Sequence, residues 1–340
     1  MRSTTVIKER EWIVPAILLT VVTGIVALSF IPNSSGLIPA LNILPAWMAA
    51  AAVIGSITAI LSMAARGVSS PVDELRSVDR RRAVYVTSVI LLAGLNMIAF
   101  MWMKPLLNYL VPFWADPMLA NLDHAIFLGH DPWKLFAWLN FPWSGLVYHQ
   151  FWFAMMILML LVVAIAPPSP QKSAVMLSYF LLWSIVGPVI HTLMPAAGPI
   201  FYERMGYGGR FDGLAPGPET QWVADYLWSI YSSESFGAGS GISAMPSMHV
   251  TITVWMMIAV WMFARQFVLP ALVAGSAIFL LSISLGWHYA IDGIAGAVAA
   301  VGCFLIALLY YRKRCTKSEE PEPEAPSETD QPPGKPAILA

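Results

Sequence analysis

The sequence predicts an all-α membrane protein, a polytopic bundle of about eight transmembrane helices. Of the 340 residues, 58% are hydrophobic and 11% are charged, whereas a soluble domain carries charges at roughly 25% of its positions. The mean hydropathy is +0.67. The charged positions also divide the chain into apolar segments of about 20 residues, the length that crosses about 30 Å of hydrocarbon. These observations exclude a soluble enzyme.

Eight apolar segments are predicted to span the membrane. The first is too long for the apolar core of a signal peptide, and no small-residue cleavage site follows it. Each segment ends at charged residues or at Pro and Gly, which favour turns. The predicted spans cover residues 12–31, 43–65, 83–103, 146–166, 174–194, 247–264, 269–287 and 289–311.

The basic residues between the spans predict which side each end of the protein faces. With the N-terminus inside, 15 Lys and Arg residues lie in inner segments and four lie in outer loops. Short cytoplasmic loops retain positive charge, so the sequence predicts an integral multi-pass protein with both termini in the cytoplasm. The four outer basic residues are Lys104, Lys134, Arg204 and Arg210.

Two outer loops and the C-terminal region have distinctive compositions. Residues 104–145 are rich in Pro and Trp, which predicts short helices lying in the membrane interface. Residues 195–246 are rich in Gly and Pro, which predicts an irregular lid over the outer helix ends. The last 23 residues, from Ser318, hold six Pro and six acidic residues. This composition predicts a disordered cytoplasmic tail.

Three titratable residues are predicted to meet at the outer rim of the bundle. His249 lies at the start of the sixth span, His288 follows the seventh, and Asp292 lies in the first turn of the eighth. Topology brings them to one depth on one side of the membrane, although the two histidines are 39 positions apart. Because titratable groups inside a membrane are costly, such a set is a candidate functional site.

These residue types suit phosphoryl transfer through a phosphohistidine. Asp292 follows His288 by four residues, so both side chains lie on one helix face. A carboxylate bonded to one imidazole nitrogen leaves the other unprotonated, as a nucleophile requires. His249 supplies a general acid and base. The free N–H groups at the start of the sixth span, together with Ser247, predict an anion site.

Residues 241–249 (GISAMPSMH) and 285–292 (LGWHYAID) resemble two signature motifs of the type 2 phosphatidic acid phosphatase superfamily. The resemblance is closest to its lipid phosphotransferase branch, the inositol phosphorylceramide and sphingomyelin synthases. It implies that His288 is the nucleophile, Asp292 its orienting partner and His249 the acid and base, with Ser247 touching phosphate. It also implies three regions, listed in order: residues 1–82 with two transmembrane helices and a basic loop, a phosphatidic acid phosphatase-like catalytic domain at 83–315, and the tail at 316–340.

The chain lacks the basic residues that the phosphatase motifs carry. The first motif, a Lys followed by Arg-Pro, has no match, and Ser282 stands where phosphatases carry an Arg six residues before the nucleophile. A phosphoryl group in transfer spreads negative charge over three oxygens and needs cations. Among the outer basic residues, Arg204 and Arg210 of the Gly-rich loop are predicted to bind the phosphate, ahead of Lys134 and Lys104.

Other interpretations of these residues remain open. Two histidines and one aspartate also suit a divalent metal, but no further ligand is evident, so no metal and no cofactor are predicted. His191 suits either a supporting position beside the site or core packing. His149 is predicted to belong to an interfacial aromatic belt.

The sequence therefore predicts an enzyme of the extracytoplasmic face. It would move a phosphoryl or phospho-head group from a lipid in the bilayer to an alcohol. One alternative is a lipid phosphate or isoprenyl diphosphate phosphatase that uses water. Another is a non-catalytic lipid-binding membrane protein. The predicted partners are a lipid phosphate and the membrane, with no nucleic acid; the oligomeric state is left open.

Overall fold

The computed structural model describes residues 11–30 and 37–317, and this part of the chain is helical with no strand. The predicted disordered tail from Ser318 and the first ten residues lie outside the described residues. The helices labelled here are α1 Ile13–Phe30, α2 Ile43–Ala65, α3 Arg80–Leu110, α4 Asp116–Ile126, α5 Ser144–Ile165, α6 Pro170–Leu193, α7 Pro218–Ser232, α8 Met248–Phe263, α9 Arg265–Ser284 and α10 Ala290–Lys317.

Seven helices of the described chain are long and apolar enough to cross a membrane, namely α1, α2, α3, α5, α6, α9 and α10. They correspond to seven of the eight predicted spans and confirm the prediction of a multi-pass helical protein. The remaining predicted span, α8, is apolar but has 16 residues, which gives a helix of about 24 Å. It packs against α5, α6, α9 and α10, so protein surrounds this short helix on several sides.

Helix α3 is longer than predicted. The prediction ended the span at residue 103 because Lys104 and Pro105 follow, but the helix continues to Leu110. Proline removes one helical hydrogen bond, yet Leu106, Leu107 and Asn108 after it are buried, and Asn108 is hydrogen-bonded to the backbone of Ile242. Packing of this last part of α3 outweighs the lost hydrogen bond.

The second outer loop is not irregular throughout, as its composition predicted. It contains the 15-residue helix α7, which begins at Pro218 and carries Glu219 in its first turn. Proline at the first helical position and an acid near a helix N-terminus are helix start signals. The dense glycines and prolines upstream obscured these signals in the sequence.

The N-terminal helix α2 is anchored to α3 by a buried indole. Trp47 donates a hydrogen bond from its Nε1 to the carbonyl oxygen of Ile90, at 2.9 Å. The Trp47 ring lies against Gly94, where a Cβ atom would come within 2.8 Å of the indole. Large and small residues therefore fit together at this contact and fix the position of α2.

Basic residues gather at one end of the bundle. Arg82 donates a hydrogen bond to the carbonyl of Ile165, the last residue of α5. The Nζ atom of Lys172 donates to the carbonyls of Ala164 and Ala166, at 2.9 and 2.7 Å. These bonds satisfy carbonyls that a helix end leaves free. They lie at the end of α5 opposite to the one that carries His149.

Candidate active site

The two sequence motifs meet where α8 begins and α9 ends. The ring centroids of His249 and His288 are 6.5 Å apart. The backbone N–H of Ser247 donates to the carbonyl of Asp292, at 3.2 Å. This bond ties the start of α8 to the first turn of α10. The structure thus brings together the three titratable residues that the sequence singled out.

The hydrogen bond that orients His288 differs from the predicted one. Its Nδ1 atom lies 2.7 Å from the carbonyl oxygen of Ala244 and 3.7 Å from Oδ2 of Asp292. A neutral imidazole that donates from Nδ1 to a carbonyl has an unprotonated Nε2. The backbone of residues 241–249, rather than Asp292, therefore holds His288 in the form that a nucleophile needs.

His288 is 6% exposed, and burial lowers its pKa to about 3. The hydrogen bond to Ala244 opposes this shift, whereas the positive charge of Lys104 adds to it. A buried histidine resists protonation because the charged form loses its hydration. His288 is therefore neutral, with a free nitrogen, at physiological pH.

Asp292 is fully buried and supports the loop that carries His288. Its Oδ2 atom accepts a hydrogen bond from the backbone N–H of Tyr289, at 2.8 Å. The same Oδ2 atom lies 3.7 Å from Nδ1 of His288. The residue thus closes the first turn of α10 and lies where a carboxylate would stabilise a cationic imidazole.

His249 lies between two aromatic rings. The centroids of Tyr148 and Trp152 are each 4.3 Å from that of the His249 ring. The Nε1 atom of Trp152 also donates to the His249 carbonyl, at 3.0 Å. The two rings pack against the imidazole and hold it beside the cavity described below.

The hydroxyl of Ser247 caps α8 and does not line the cavity described below. Its Oγ accepts a hydrogen bond from the N–H of Val250, at 3.4 Å, and the residue is fully buried. Serine is a preferred N-cap because it satisfies a free helical N–H. The phosphate contact of Ser247 stays a prediction, and in this arrangement its hydroxyl serves as the helix cap.

A cavity of about 600 Å³ opens beside the two histidines. Its titratable lining side chains include Lys104, His149, His249 and His288, and most of its other walls are apolar or aromatic. Apolar walls with a few convergent polar groups are typical of ligand sites. The cavity therefore has room for a phosphate and for part of a lipid.

The two arginines predicted to bind phosphate are engaged elsewhere. Arg204 lies 2.5 Å from a carboxylate oxygen of Asp225, and its hydrogen bond lowers the pKa of that acid. Arg210 lies 2.8 Å from Asp131. Burial by itself raises the pKa of Asp131, but the pairing with Arg210 outweighs this effect, so the pKa of Asp131 is also lowered. Neither arginine lines the cavity. Their phosphate contact stays a prediction, and in this arrangement both side chains are paired with aspartates outside the cavity.

Lys104, which the sequence ranked lower, is the basic residue that lines the cavity. Among the described residues, no carboxylate lies within ion-pair distance of it. Gly241, the first residue of the segment 241–249, has φ of +92°, and a Cβ atom there would lie 2.9 Å from the carbonyl carbon of Lys104. Glycine is required by this conformation, and it lets the motif pack directly on α3.

The sequence did not indicate that His149 belongs to the site. It was assigned to an aromatic belt, yet it lines the cavity and its ring lies 5.5 Å from that of His249. It belongs to a π-helical turn, Val147–Phe151, inside α5. Such turns are frequent at functional sites, and they shift the helical register, which no sequence period reveals.

Two carboxylates of α4 hold the loops around His288. Asp116 accepts hydrogen bonds from the N–H groups of Ala197 and Gly198, the shortest at 2.7 Å, and from the hydroxyl of Tyr289, at 3.0 Å. Asp116 is fully buried. Gly198 has φ of +103°, and a Cβ atom there would lie 2.5 Å from the carbonyl oxygen of Trp287.

Asp123 of α4 caps the start of α10. Its carboxylate accepts from the N–H groups of Ala290 and Ile291, at 2.6 and 3.0 Å. Burial raises its pKa to about 6, although these two hydrogen bonds act in the opposite direction. The helix that carries Asp292 is thus fixed from a separate element of the fold.

No group of three or more His, Cys, Asp or Glu residues in the described ranges is arranged to hold a metal ion. The residues near His249 and His288 include aromatic rings and one lysine rather than further oxygen ligands. The donor set therefore does not fit the divalent-metal site that the sequence left open.

The fold and this cavity define a multi-pass helical membrane protein with a histidine-lined site near one end of its bundle. A family model for the PAP2 superfamily matches residues 118–306, more than half of the chain, and the chain belongs to this superfamily. Membership indicates lipid phosphatase activity. The match is at superfamily level and does not select the synthase branch. No curated protein and no solved structure matches the chain significantly.

The matched region runs from α4 into α10 and includes both motifs. The helices α1, α2 and α3 precede it. Lys104 therefore lies outside the matched region although its side chain reaches the same cavity as His249 and His288.

Proposed function

We propose that the protein is a lipid phosphotransferase that uses His288 as its nucleophile. It would move a phosphoryl or phospho-head group from a membrane lipid to an alcohol. The observation that carries this proposal is the pair of imidazoles, His249 and His288, 6.5 Å apart on one cavity. His288 is neutral and oriented by the carbonyl of Ala244, whereas the ring of His249 packs against the rings of Tyr148 and Trp152.

In the first half-reaction, Nε2 of His288 attacks the phosphorus atom. The bond between phosphorus and the lipid oxygen breaks, and protonated His249 gives its proton to that oxygen, so the lipid alcohol leaves. The product is a phosphohistidine. Its formation places positive charge on the imidazole, which the carboxylate of Asp292, 3.7 Å from Nδ1, stabilises.

In the second half-reaction, neutral His249 accepts the proton of the incoming hydroxyl. The oxygen attacks phosphorus, the bond between phosphorus and nitrogen breaks, and His288 returns to its neutral form. Water in place of the alcohol would give a phosphatase by the same steps. The synthase-like motifs and the replacement of the family arginine by Ser282 favour an alcohol.

Lys104 is proposed to supply the positive charge that the phosphoryl group needs. It lines the cavity with both histidines, and its charge contributes to the low pKa of His288. A lysine next to developing charge in a site that excludes water contributes strongly to transfer. This assignment replaces the one made from the sequence for Arg204 and Arg210.

The site is proposed to face the extracytoplasmic side. The basis is the unequal distribution of Lys and Arg between the loops, together with the basic residues Arg82 and Lys172 at the opposite end of the bundle. The end of the bundle with Arg82 and Lys172 would then lie in the cytoplasm.

Purified protein supplied with phosphatidic acid tests the function. A phosphatase releases inorganic phosphate, and a transferase forms the phosphate ester of an added alcohol; both release diacylglycerol. Both activities should disappear in His288→Ala and in His249→Ala, whereas Asp225→Asn, a change at an exposed ion pair, should retain them. Undiminished activity in both histidine variants would contradict the enzyme, and absence of activity in the wild type with these lipids would favour the lipid-binding alternative.

A further inference from the structure

A second cavity reaches His249 from the side of the bundle. It is a groove of about 430 Å³ between α2 and α5. Its walls include Ala50 and Ile54 of α2 and Phe153 and Ile157 of α5, and its inner end is formed by His149 and His249. The groove is distinct from the cavity that contains His288.

The two cavities meet at shared side chains. His149, Trp152, Phe153 and His249 line both of them, whereas His288 lines the first and not the groove. His249, the proposed acid and base, therefore stands between the nucleophile on one side and the groove on the other.

The polarity of the groove changes along its length. Near the site it has His149, His249 and Gln150, and further along its walls are aliphatic and aromatic. Ala50 lies about 10 Å along α2 from its first residue, inside a helix long and apolar enough to cross a membrane. The apolar part of the groove is therefore at a depth where hydrocarbon chains are the solvent.

We propose that the groove binds the hydrocarbon chain of a long-chain lipid alcohol and presents its oxygen to His249. The inference rests on the proposed function, in which that alcohol leaves in the first half-reaction. An in-line displacement puts the leaving oxygen across the phosphorus atom from Nε2 of His288. His249 lines the cavity that contains His288 and also the groove, so a leaving oxygen protonated by His249 would lie beside the groove.

His249, which lines both cavities, supplies the proton for this step. The bond from phosphorus to the lipid oxygen breaks as the bond from Nε2 to phosphorus forms, and the proton of His249 completes the lipid hydroxyl. The alcohol then lies in the groove, with its chain between α2 and α5. One wall of the groove thus comes from α2, which lies outside the region that matches the superfamily.

Photo-crosslinking tests the binding site without requiring turnover. Full-length protein in vesicles is given a diacylglycerol with a diazirine on its acyl chain, and the labelled peptides are mapped by mass spectrometry. Labels are expected on the groove walls, around Ala50, Ile54 and Ala154. The variants Ala50→Trp and Ala154→Trp, which fill the groove, should reduce labelling about tenfold. The matched control is Val53→Trp, because Val53 is 58% exposed on the same helix and does not line the groove.

Kinetics with two chain lengths give a second measurement. In the groove-filling variants, kcat/KM for dioleoyl phosphatidic acid should fall about tenfold or more, and that for the dibutyryl form should stay within about twofold. Equal losses for both substrates, no loss for either, or labels away from the groove would overturn the proposal. Labels in the groove of a protein that shows neither phosphate release nor transfer would overturn the proposed function and leave the binding site standing.

Discussion

The carbonyl oxygen of Ala244 and the Nδ1 atom of His288 are 2.7 Å apart, a shorter contact than the 3.7 Å between His288 and Asp292. A backbone carbonyl thus fixes the tautomer of the proposed nucleophile. Because substitution does not remove a backbone carbonyl, this orientation persists when Asp292 is changed.

Asp292→Asn is therefore expected to lower kcat by about 10- to 100-fold, less than the loss caused by removing an orienting acid that acts alone. The variant loses the charge that stabilises the cationic imidazole but keeps the bond to Ala244. Initial rates of Asp292→Asn and His288→Gln on the same lipid give the comparison. Equal losses in the two variants would show that Asp292 is the orienting partner in the working enzyme.

Lys104→Gln should lower kcat by about 100- to 1000-fold, the usual cost of removing one group that stabilises transition-state charge. Lys104→Arg should restore part of the rate because it keeps the charge. Arg204→Ala and Arg210→Ala serve as controls, since both arginines pair with aspartates away from the cavity. Full activity in Lys104→Gln, with a loss in either arginine variant, would return the phosphate contact to the arginines.

The low pKa of His288 predicts a pH-dependent stability. In the folded protein the group titrates at about 3, and in the unfolded chain at about 6.5. Between these values the unfolded chain binds the additional proton, so the free energy of unfolding falls as the pH falls. The expected slope approaches about 1.4 kcal/mol per pH unit near the middle of this window, where the unfolded group is protonated and the folded group is not.

The measurement is the thermal midpoint in detergent from about pH 7 to about pH 4, for the wild type and for His288→Gln. The variant should lose less stability on acidification. Asp123, whose pKa is raised to about 6 by burial, acts in the opposite direction and is present in both proteins, so it cancels. The same loss in both proteins would rule out this role of His288.

Asp123→Ala should destabilise the protein by about 1 to 2 kcal/mol, as loss of a helix cap does. It removes the acceptor for the N–H groups of Ala290 and Ile291 and frees the first turn of α10. Denaturation in detergent measures the loss, and Asp123→Asn, which keeps one oxygen, should show a smaller one. An unchanged midpoint in Asp123→Ala would mean that other contacts hold this helix end.

The orientation in the membrane predicts which loops react with an impermeant reagent. In a variant with Cys303 and Cys315 replaced by Ser, a cysteine at Leu128 should be labelled by a charged maleimide in intact cells, because Leu128 is 90% exposed and the proposed orientation places its loop outside. A cysteine at Val78, which is 52% exposed between α2 and α3, should react after permeabilisation. The reverse pattern would place the proposed site on the cytoplasmic side.

Much of this architecture was determined by the sequence alone. Apolar segments of membrane-spanning length need no distant partner to be recognised, because the bilayer imposes one length on each of them. The motifs around His249 and His288 each lie within a few consecutive residues. Since helix ends alternate between the two sides of a membrane, the meeting of these histidines also followed from the order of the segments.

The partners of the site residues were decided by the tertiary structure. The sequence favours Arg204 over Lys104 as the phosphate ligand, but folding places an aspartate beside the first and the cavity beside the second. The bond from His288 to Ala244 joins residues 44 positions apart, and the π-helical turn that carries His149 has no sequence period. Such contacts depend on how whole helices pack, which local pattern and composition do not specify.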